Sequence, residues 1–347
     1  MIGFGIILSL CLFAAMIQLT DANEYRLTHI DPATGLALYT PHSSFPTLGG
    51  CYENTVTINN LGFHGRDVAA VKAKDVFRIV IIGGSYVEAR QVPVEDMFST
   101  LLEDKLNGYP DRRYTYEIIP LGVNGNSPFL SVLYYKFYGS ALKPDLVINF
   151  ESQFELANEY PTPSVDESGL AILEVNVVVE DPTKALIKDV SRRSKLVVNL
   201  YNRYLMFRDA TFKFLERPFF FMPQNETASS PAELSSKKAE RWQAQQTIVG
   251  ALAARVKEDK ATLLMTSWYS PEVTITPEEL SDNFDRIAAH IGAPYLDLSP
   301  AVTAAEAASG VSATFSSCDG HWSPAGHEYV ADTLYRYLLS NPRLMSR

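Results

Sequence analysis

The alternation of apolar and polar positions divides the chain into three parts. An uncharged apolar run over residues 2–19 is followed by a polar stretch, rich in Pro and Gly, over residues 23–75. From Phe77 onward, short apolar runs alternate with longer segments whose apolar residues recur every three or four positions. Short continuous runs are typical of buried strands, and the second pattern is typical of amphipathic helices.

Five of the short runs are predicted strands. They cover residues 77–83, 114–122, 144–150, 262–268 and 294–300. Helices are predicted over residues 94–108, 127–142, 231–261, 280–292 and 325–340. Strands separated by helices of this length form parallel sheets with helices on both faces. We therefore predict one α/β domain over residues 77–347, built around a parallel, doubly wound sheet of five strands.

Residues 157–230 interrupt the alternation of predicted strands and helices. They contain Pro pairs, a Val-rich piece and the aromatic run "RPFFFMP". The stretch is too long to be a plain loop. We predict that it is an insertion in the α/β domain with some structure of its own. Residues 23–76 are predicted to form a loop-rich N-terminal segment that packs on the core.

The N-terminal run indicates where the protein is located. Its 18 uncharged residues are typical of a signal peptide or of a single membrane anchor. We assign residues 1–22 to that segment and expect the body to lie outside the cytoplasm, in the periplasm or the extracellular space. Cleavage after Ala22, retention as an anchor and a buried N-terminal helix all remain open.

Charge and cysteine content restrict the classes of partner. The formal net charge is −10 and no long basic run is present, which argues against a nucleic-acid partner because phosphate contacts need clustered Lys and Arg. No Cys or His cluster has zinc-ligand spacing, so no metal and no cofactor is expected. Cys51 and Cys318 could form a disulfide in an oxidising compartment, or remain two buried thiols.

Ser85 is the candidate nucleophile. It follows the first predicted strand in "IGGSY", and ligands of doubly wound sheets bind beyond the carboxyl ends of the strands. Gly83 and Gly84 permit a sharp turn there. The motif is neither a G-x-S-x-G elbow, since position 87 is Val, nor a P-loop. A phosphate-binding turn or a purely structural turn is the alternative.

His321 is the candidate base, and Asp319 is the candidate acid that orients it. Both lie in "DGHWSPAGH", which Gly320 and Pro324 keep non-helical at its start. A neutral imidazole can accept the serine proton, and a carboxylate can fix the tautomer of the imidazole. His327 is interpreted as a packing or capping residue at the start of the last helix.

The oxyanion of an acyl-transfer intermediate needs hydrogen-bond donors. Gly125, in "GVNGNSP" after the second strand, can present an unobstructed backbone N–H. Gln153, after the third strand, is the nearest side-chain amide, although it could equally be a solvated loop residue. Asn124 or Asn126 could substitute for it, whereas Asn149 is predicted to lie within the strand.

Together these blocks resemble the SGNH (GDSL-like) hydrolase and O-acyltransferase superfamily over residues 58–342, interrupted by the insertion. The matching blocks are "INNLGFHGRD", "IGGSYVEARQVPVEDMFSTLLEDKLN", "IIPLGVNGNSP", "KPDLVINFESQ", "APYLDLSPAV" and "DGHWSPAGHEYVADTL". The resemblance implies a three-layer α/β/α sandwich of the flavodoxin type. It implies that Ser85 is the nucleophile, Gly125 an oxyanion donor, His321 the base and Asp319 the acid.

Three positions depart from the family pattern. Gly84 replaces the usual Asp, as in the "GGS" bacterial members, and Ala89 replaces a glycine. The asparagine of the third block is absent, and Gln153 is the nearest amide. Its extra methylene would shift the donor by roughly 1 Å, a displacement that can lower the rate substantially.

The resemblance predicts a serine-dependent esterase or O-acyltransferase. Its expected substrate is an ester, with acetyl groups foremost, on an acylated small molecule or on an envelope or extracellular polysaccharide. The missing third-block asparagine supports an alternative, a non-catalytic module that keeps the fold in order to bind a glycan or an envelope partner.

Overall fold

The computed structural model describes residues 28–48, 51–125, 127–152, 164–165, 171–172, 231–269, 276–315 and 319–347. By compactness the chain divides into two units. One comprises Met1–Ala37 with Val175–Ser235, and the other comprises Leu38–Glu174 with Ser236–Arg347. The central sheet and the candidate site both belong to the second unit.

The second unit is built on a five-stranded parallel sheet. The strands are β5 (Val76–Gly83), β6 (Thr115–Gly122), β7 (Leu146–Ser152), β10 (Thr262–Trp268) and β11 (Tyr295–Asp297). They lie in the order β11-β10-β7-β5-β6, which is the flavodoxin-like order of doubly wound sheets. β5 and β7 are buried along almost their whole length, as expected for strands covered on both faces.

Helices cover both faces and complete a three-layer α/β/α sandwich. In chain order they are α1 (Ser85–Glu88), α2 (Phe98–Gly108), α3 (Pro128–Tyr134), α4 (Pro231–Glu258), α5 (Pro277–Ile291), α6 (Ser299–Ser309) and α7 (Pro324–Ser340). α2, α6 and α7 share one core with alternate residues of the sheet. α3 and α5 contact the sheet from the other layer, where α4 packs on α5 through Trp242 and Phe284.

Among the described residues, six short strands lie outside the sheet. They are β1 (Thr28–Ile30), β2 (Ala37–Tyr39), β3 (Ser44–Leu48), β4 (Glu53–Thr57), β8 (Ser164–Val165) and β9 (Ala171–Ile172). β3 and β4 pair as an antiparallel hairpin. The segment predicted to be loop-rich therefore contains a small β-structure, which its scattered Pro and Gly residues obscured.

The predicted fold class and all five predicted strands are confirmed, with small shifts at the strand ends. The predicted helix over residues 94–108 is shorter, because the backbone of Met97 is extended and separates a 3-10 turn (Val94–Asp96) from α2. The predicted helix over residues 127–142 changes after α3 into a π-helix, Tyr135–Gly139, and a 3-10 turn, Ser140–Leu142.

The helix α6 was not predicted. The strand predicted over residues 294–300 included Ser299 and Pro300, which instead begin α6, and no element was predicted for the rest of "SPAVTAAEAAS", although its proline in the first turn and its alanines favour a helix. Gly310 ends it in the left-handed conformation, with φ of 69°, as glycines after helices commonly do.

The N-terminal run and most of the predicted insertion lie outside the described residues. Within the described ranges, no helix combines the length and the apolar character needed to cross a bilayer. The assignments of residues 1–22, 23–76 and 157–230 as separate parts of the chain remain predictions.

Candidate active site

Two glycines at the strand ends allow α1 to lie directly across β5 and β6. A Cβ atom on Gly83 would lie 2.6 Å from Cγ2 of Val87, and one on Gly122 would lie 2.1 Å from the backbone nitrogen of Glu88. Side chains do not tolerate such distances, so only glycine fits at either position. The tight turn after the buried strand therefore holds Ser85, the first residue of α1, at the end of the sheet.

Ser85, His321 and Asp319 form a hydrogen-bonded chain. Nε2 of His321 lies 2.7 Å from Oγ of Ser85, and Nδ1 of the same ring lies 2.5 Å from Oδ1 of Asp319. The backbone N–H of His321 donates to the same oxygen at 2.9 Å. The side chains of His321 and Asp319 are 28% and 18% exposed, so the chain of hydrogen bonds lies at the surface, where a substrate can reach it.

Asp319 is held in its ionised form. Burial raises its pKa, but hydrogen bonds from the ring and the backbone N–H of His321, and from the hydroxyl of Tyr52, outweigh this effect and lower the pKa to about 2. Burial and the Asp319 charge in turn raise the pKa of Tyr52. A carboxylate in this state keeps the proton of a neutral imidazole on Nδ1, which leaves Nε2 free to accept a proton from a serine hydroxyl.

The loop that carries His321 is fixed by antiparallel pairing with the segment before it. The backbone N–H of Phe315 donates to the carbonyl of His321 at 3.1 Å, and that of Ser323 donates to the carbonyl of Ala313 at 2.9 Å. The Ser323 hydroxyl accepts from the N–H of Gly326 at 3.3 Å and caps α7. The imidazole is therefore presented by a backbone with defined partners on both sides.

Tyr86 connects the nucleophile turn to the histidine loop. Its ring lies 5.0 Å from the ring of His321 and 4.9 Å from the ring of Trp322, measured between centroids. Its hydroxyl donates to the carbonyl of Gly320 at 3.0 Å. Sequence reasoning missed this residue, and its position directly after Ser85 is the only signal that could have indicated it.

Gly125 lies in the exposed turn after β6, together with the exposed Asn124. Its φ is +67°, a left-handed conformation that favours glycine, and no atom lies within 4 Å of the position that a Cβ would occupy. The turn is therefore open to solvent at the residue predicted to donate to the oxyanion.

The side-chain amides predicted near the oxyanion divide into two groups. Asn149 is buried in β7, where its Nδ2 donates to Oε1 of Glu151 at 2.8 Å. It lies within the strand, as predicted, and its amide is engaged there. Gln153 and Asn126 lie outside the described residues, so their roles remain predictions.

Glu88 was not singled out by sequence reasoning, yet it is the buried carboxyl group nearest the nucleophile in sequence, and it is 1% exposed. The hydroxyl of Tyr39 donates to its Oε1 at 2.8 Å, and Nε of Arg90 lies 3.4 Å from its Oε2. Nδ1 of His64 donates to its backbone carbonyl at 2.8 Å. Burial raises the pKa of Glu88 to about 8 despite hydrogen bonds from Tyr39 and the backbone of Asn124.

His327 is not part of the hydrogen-bonded chain of Ser85, His321 and Asp319. It is buried at the start of α7, where its Nδ1 accepts from the backbone N–H of Phe98 at 3.2 Å and its ring stacks on the ring of Phe98. Burial, with the nearby charges of His64 and His321, lowers its pKa to about 3. This environment agrees with the packing role expected from the sequence.

A cleft of about 890 Å³ adjoins the histidine loop at Gly320. It lies beyond the carboxyl ends of β10 and β11, between α5 and α6, where open α/β sheets commonly bind ligands. Trp268 and Tyr269 contribute aromatic surface. The lining residues that the structure describes include no Lys, Arg or His and four carboxylates, which belong to Glu278, Asp282, Asp297 and Glu306.

Cys51 is disulfide-bonded, and its partner lies outside the described residues. Its sulfur lies 3.8 Å from the carbonyl oxygen of Phe315, three positions before Cys318. The Cys51–Cys318 pairing remains a prediction. Among the residues that the structure describes, no group of three or more His, Cys, Asp or Glu side chains could hold a metal ion.

Comparisons with known proteins give matches only among solved structures, since no family model and no curated protein matches the chain. A lipolytic protein of the G-D-S-L family from Desulfitobacterium hafniense DCB-2 is 12% identical, with a TM-score of 0.43 over 75% of this chain and 98% of that chain. An acetyl xylan esterase is 13% identical, with a TM-score of 0.42 over 76% and 100%. A catalytic mutant of an acetylxylan esterase from Geobacillus stearothermophilus is 10% identical, with a TM-score of 0.42 over 77% and 95%.

Three features of the chain itself bear on the family that it resembles. Its sequence blocks follow the family order, its sheet has the flavodoxin-like strand order, and its serine and aspartate each lie within hydrogen-bond distance of its histidine. In these three respects the chain resembles the SGNH (GDSL-like) hydrolase superfamily.

Proposed function

We propose that this chain is a serine-dependent esterase or O-acyltransferase in which Ser85, His321 and Asp319 act as a triad. The observation that carries the proposal is the 2.7 Å contact between Nε2 of His321 and Oγ of Ser85, with Asp319 on the opposite ring nitrogen. Nucleophile, base and orienting carboxylate thus stand in the order that acyl transfer requires.

In the first half of the reaction, Oγ of Ser85 attacks the carbonyl carbon of the ester while Nε2 of His321 accepts the hydroxyl proton. The carbonyl π electrons move to oxygen and form an oxyanion. When the C–O bond to the alcohol breaks, that alcohol takes the proton from Nε2 and leaves the acyl group on Ser85. Asp319 stabilises the imidazolium throughout.

In the second half, water or a sugar hydroxyl attacks the acyl-serine. Nε2 accepts its proton, the bond between the acyl carbon and Oγ breaks, and Nε2 returns a proton to Oγ, so that the free serine is regenerated. Water gives a hydrolase and a sugar hydroxyl gives an acyltransferase. The backbone N–H groups of Ser85 and Gly125 are assigned to the oxyanion, with Gln153 as the proposed third donor.

The surface position of the triad and the adjoining cleft support an exposed ester as the substrate. The partly exposed His321 side chain and the adjoining cleft leave room for a large alcohol component. We therefore propose acetyl or similar esters on a polysaccharide or on an acylated small molecule. The uncharged run over residues 2–19 supports export or membrane anchoring, with the body outside the cytoplasm.

The test is hydrolysis of p-nitrophenyl acetate, together with labelling by a fluorophosphonate probe. The parent protein should hydrolyse the ester and be labelled, and Ser85→Ala should lose both activities. Ser340→Ala, which removes an exposed hydroxyl from the end of α7, is the matched control and should retain both. Equal hydrolysis by the Ser85→Ala variant would reject the proposal.

The non-catalytic binding module is favoured by one observation, which is that the third-block asparagine of the family is absent from this sequence and Gln153 is only the nearest amide. A binding module would keep the fold without an activated hydroxyl. It would therefore show no labelling at Ser85 while still retaining a glycan on an affinity column, whereas a catalytic site would be labelled.

A further inference from the structure

The proposed reaction leaves most of the cleft beside the histidine loop unused. Its volume of about 890 Å³ lies within the range of roughly 300–1,000 Å³ that is typical of small-molecule sites. An acetyl group would fill only a small part of this volume. Gly320, which borders the cleft, lies between Asp319 and His321 in the sequence. An ester that reacts at Ser85 can therefore extend its alcohol component into the cleft.

The walls of the cleft are held by hydrogen bonds between the segments that form them. The backbone N–H of Tyr269, after β10, donates to the hydroxyl of Ser299 at the start of α6 at 3.0 Å. The hydroxyl of Ser323, in the histidine loop, donates to the carbonyl of Ser312 at 2.7 Å. Ser299 and Ser312 both line the cleft. The cleft therefore has fixed walls, as preformed ligand sites do.

The charge of the lining has a single sign. Its described residues include four carboxylates, on Glu278, Asp282, Asp297 and Glu306, and no Lys, Arg or His. Acidic residues outnumber Lys and Arg by only 40 to 30 over the whole chain, so overall composition does not account for this lining. In the described part of the chain, no ion pair joins any of the four carboxylates to a basic side chain. Their charge is therefore available to a ligand.

Helix dipoles account for only one of these carboxylates. Glu278 lies in the first turn of α5, where a negative charge stabilises the helix. Glu306 lies in the last turn of α6, where the same dipole disfavours a carboxylate. Asp282 follows Glu278 by four positions on α5, a spacing at which like charges destabilise a helix. Two carboxylates of the lining thus oppose helix stability, which favours a role in binding.

Two aromatic residues at the end of β10 complete the lining. Tyr269 is partly exposed, and Trp268 is 4% exposed. The indole Nε1–H of Trp268 is buried and has no hydrogen-bond partner among the described residues. A buried donor without a protein partner is costly and is commonly satisfied by an ordered water or a ligand oxygen. This unpaired donor in the wall of the cleft is a second, independent indication of a ligand.

The aromatic rings and the carboxylates attract the same kind of ligand. A positively charged group is drawn to the face of Trp or Tyr as well as to carboxylates. A ligand that carries a carboxylate or a phosphate would instead be repelled by four negative charges. The lining therefore favours an alcohol component with an ammonium group, such as an amino sugar or a small amino alcohol.

We propose that the cleft beside Gly320 binds the alcohol component of the ester and selects one that carries a positive charge. The inference rests on the proposed function, because the bound ester is the one that Ser85 attacks. The triad requires only an ester bond, whereas the cleft determines which alcohol that bond may contain.

The test compares two esters of nearly the same shape, acetylcholine and its uncharged analogue 3,3-dimethylbutyl acetate. The parent should hydrolyse acetylcholine with a kcat/KM about tenfold higher at low salt, because each surface charge contributes modestly and several act together. Sodium chloride at about 1 M should reduce the preference, since salt screens charges at the surface.

A double variant removes two of the four charges. Glu278→Gln with Asp282→Asn, both at exposed positions of α5, should lower the preference to about threefold. The matched control is Asp75→Asn with Asp111→Asn. It removes the same charge from exposed positions that precede β5 and β6, at the opposite end of the strands, and should retain the preference of the parent.

Two polymers distinguish the sources of the charge. O-acetylated chitosan carries amino groups, whereas O-acetylated cellulose does not. Faster release of acetate from the chitosan would identify an amino sugar as the alcohol component. A preference found only among the small esters would identify a small amino alcohol. Either result supports selection of positive charge by the cleft.

The outcomes separate the two proposals. Hydrolysis of p-nitrophenyl acetate without a preference for the charged member of either pair would overturn the role of the cleft while leaving the triad intact. A preference that the double variant retains in full, or that the control variant loses equally, would also overturn it. Absence of both hydrolysis and fluorophosphonate labelling in the parent would instead reject the proposed function itself.

Discussion

The histidine loop and the nucleophile turn each bring a carboxylate close to the reacting groups, yet the two carboxylates are held in opposite states. Asp319 is partly exposed and surrounded by donors, which lower its pKa to about 2. Glu88 is fully buried, and burial raises its pKa to about 8. The difference shows that hydrogen-bond donors and hydration decide the charge of a carboxylate, whereas residue type alone does not.

The two regions are also held in different ways. Backbone pairing with residues 313–315 fixes the histidine loop, so Asp319 and His321 are placed by local structure. The nucleophile turn is a single helical turn that depends on Tyr39, His64 and Asn54 from a distant part of the chain. We therefore expect substitutions in the loop to affect chemistry, and substitutions in the turn to affect stability and chemistry together.

The largest effect should come from Asp319→Asn. The amide NH₂ of asparagine can donate to Nδ1 of His321, which favours the tautomer with its proton on Nε2, so Nε2 can no longer accept the proton of Ser85. The same substitution of the triad aspartate in a serine protease lowers kcat strongly, so kcat for p-nitrophenyl acetate should fall by roughly 10³–10⁴-fold. Steady-state kinetics measures the change, and circular dichroism confirms that the variant is folded. A loss smaller than tenfold would contradict the triad assignment.

An intermediate effect should appear in the pH dependence of stability. The pKa of Glu88 is about 8 in the folded protein and 4.5 in its unperturbed form, so the folded state binds the proton more tightly. The stabilisation is complete below pH 4.5 and is lost as the pH rises toward 8, with a slope of at most about 1.4 kcal/mol per pH unit.

Urea denaturation from pH 4 to pH 9 measures this slope. The parent should become less stable across that interval, whereas Glu88→Gln should show a flatter dependence and gain relative stability at the alkaline end. Parallel curves for the two proteins would mean that Glu88 is not protonated in the folded state.

The smallest effect should come from Ala89→Gly, at the position where the family usually has glycine. Ala89 has φ of 55°, a left-handed conformation that costs a residue with a Cβ about 1–2 kcal/mol. Glycine relieves this strain but gains freedom in the unfolded chain, so the net stabilisation should be about 0.5–1 kcal/mol. Thermal denaturation measures it. A loss of stability would show that packing of the buried methyl group outweighs the strain.

Periodicity was sufficient to predict the five strands because buried parallel strands are short, continuous and apolar. It was insufficient for α6, whose Ala-rich sequence lacks a clear apolar face. It also missed the interruption at Met97, since a helical pattern of side chains does not reveal one residue with an extended backbone.

In the candidate site, Ser85, Asp319 and His321 could be identified from their sequence blocks, because each block combines a reactive side chain with residues that shape a turn. Tyr86 and Glu88 could not. Their importance comes from contacts with Gly320 and Tyr39, which are far away in the sequence, and no local pattern marks such partners.

The sequence by itself determined which segments become strands and helices, and which side chains are able to do chemistry, because both depend on local composition and spacing. Only the tertiary structure decided that Ser85 and His321 meet although 236 positions separate them. It likewise decided that His321 remains accessible while His327 is buried, and that Asp319 is charged while Glu88 carries a raised pKa. Hydration and hydrogen-bond partners set these properties, and both are defined only once the chain has folded.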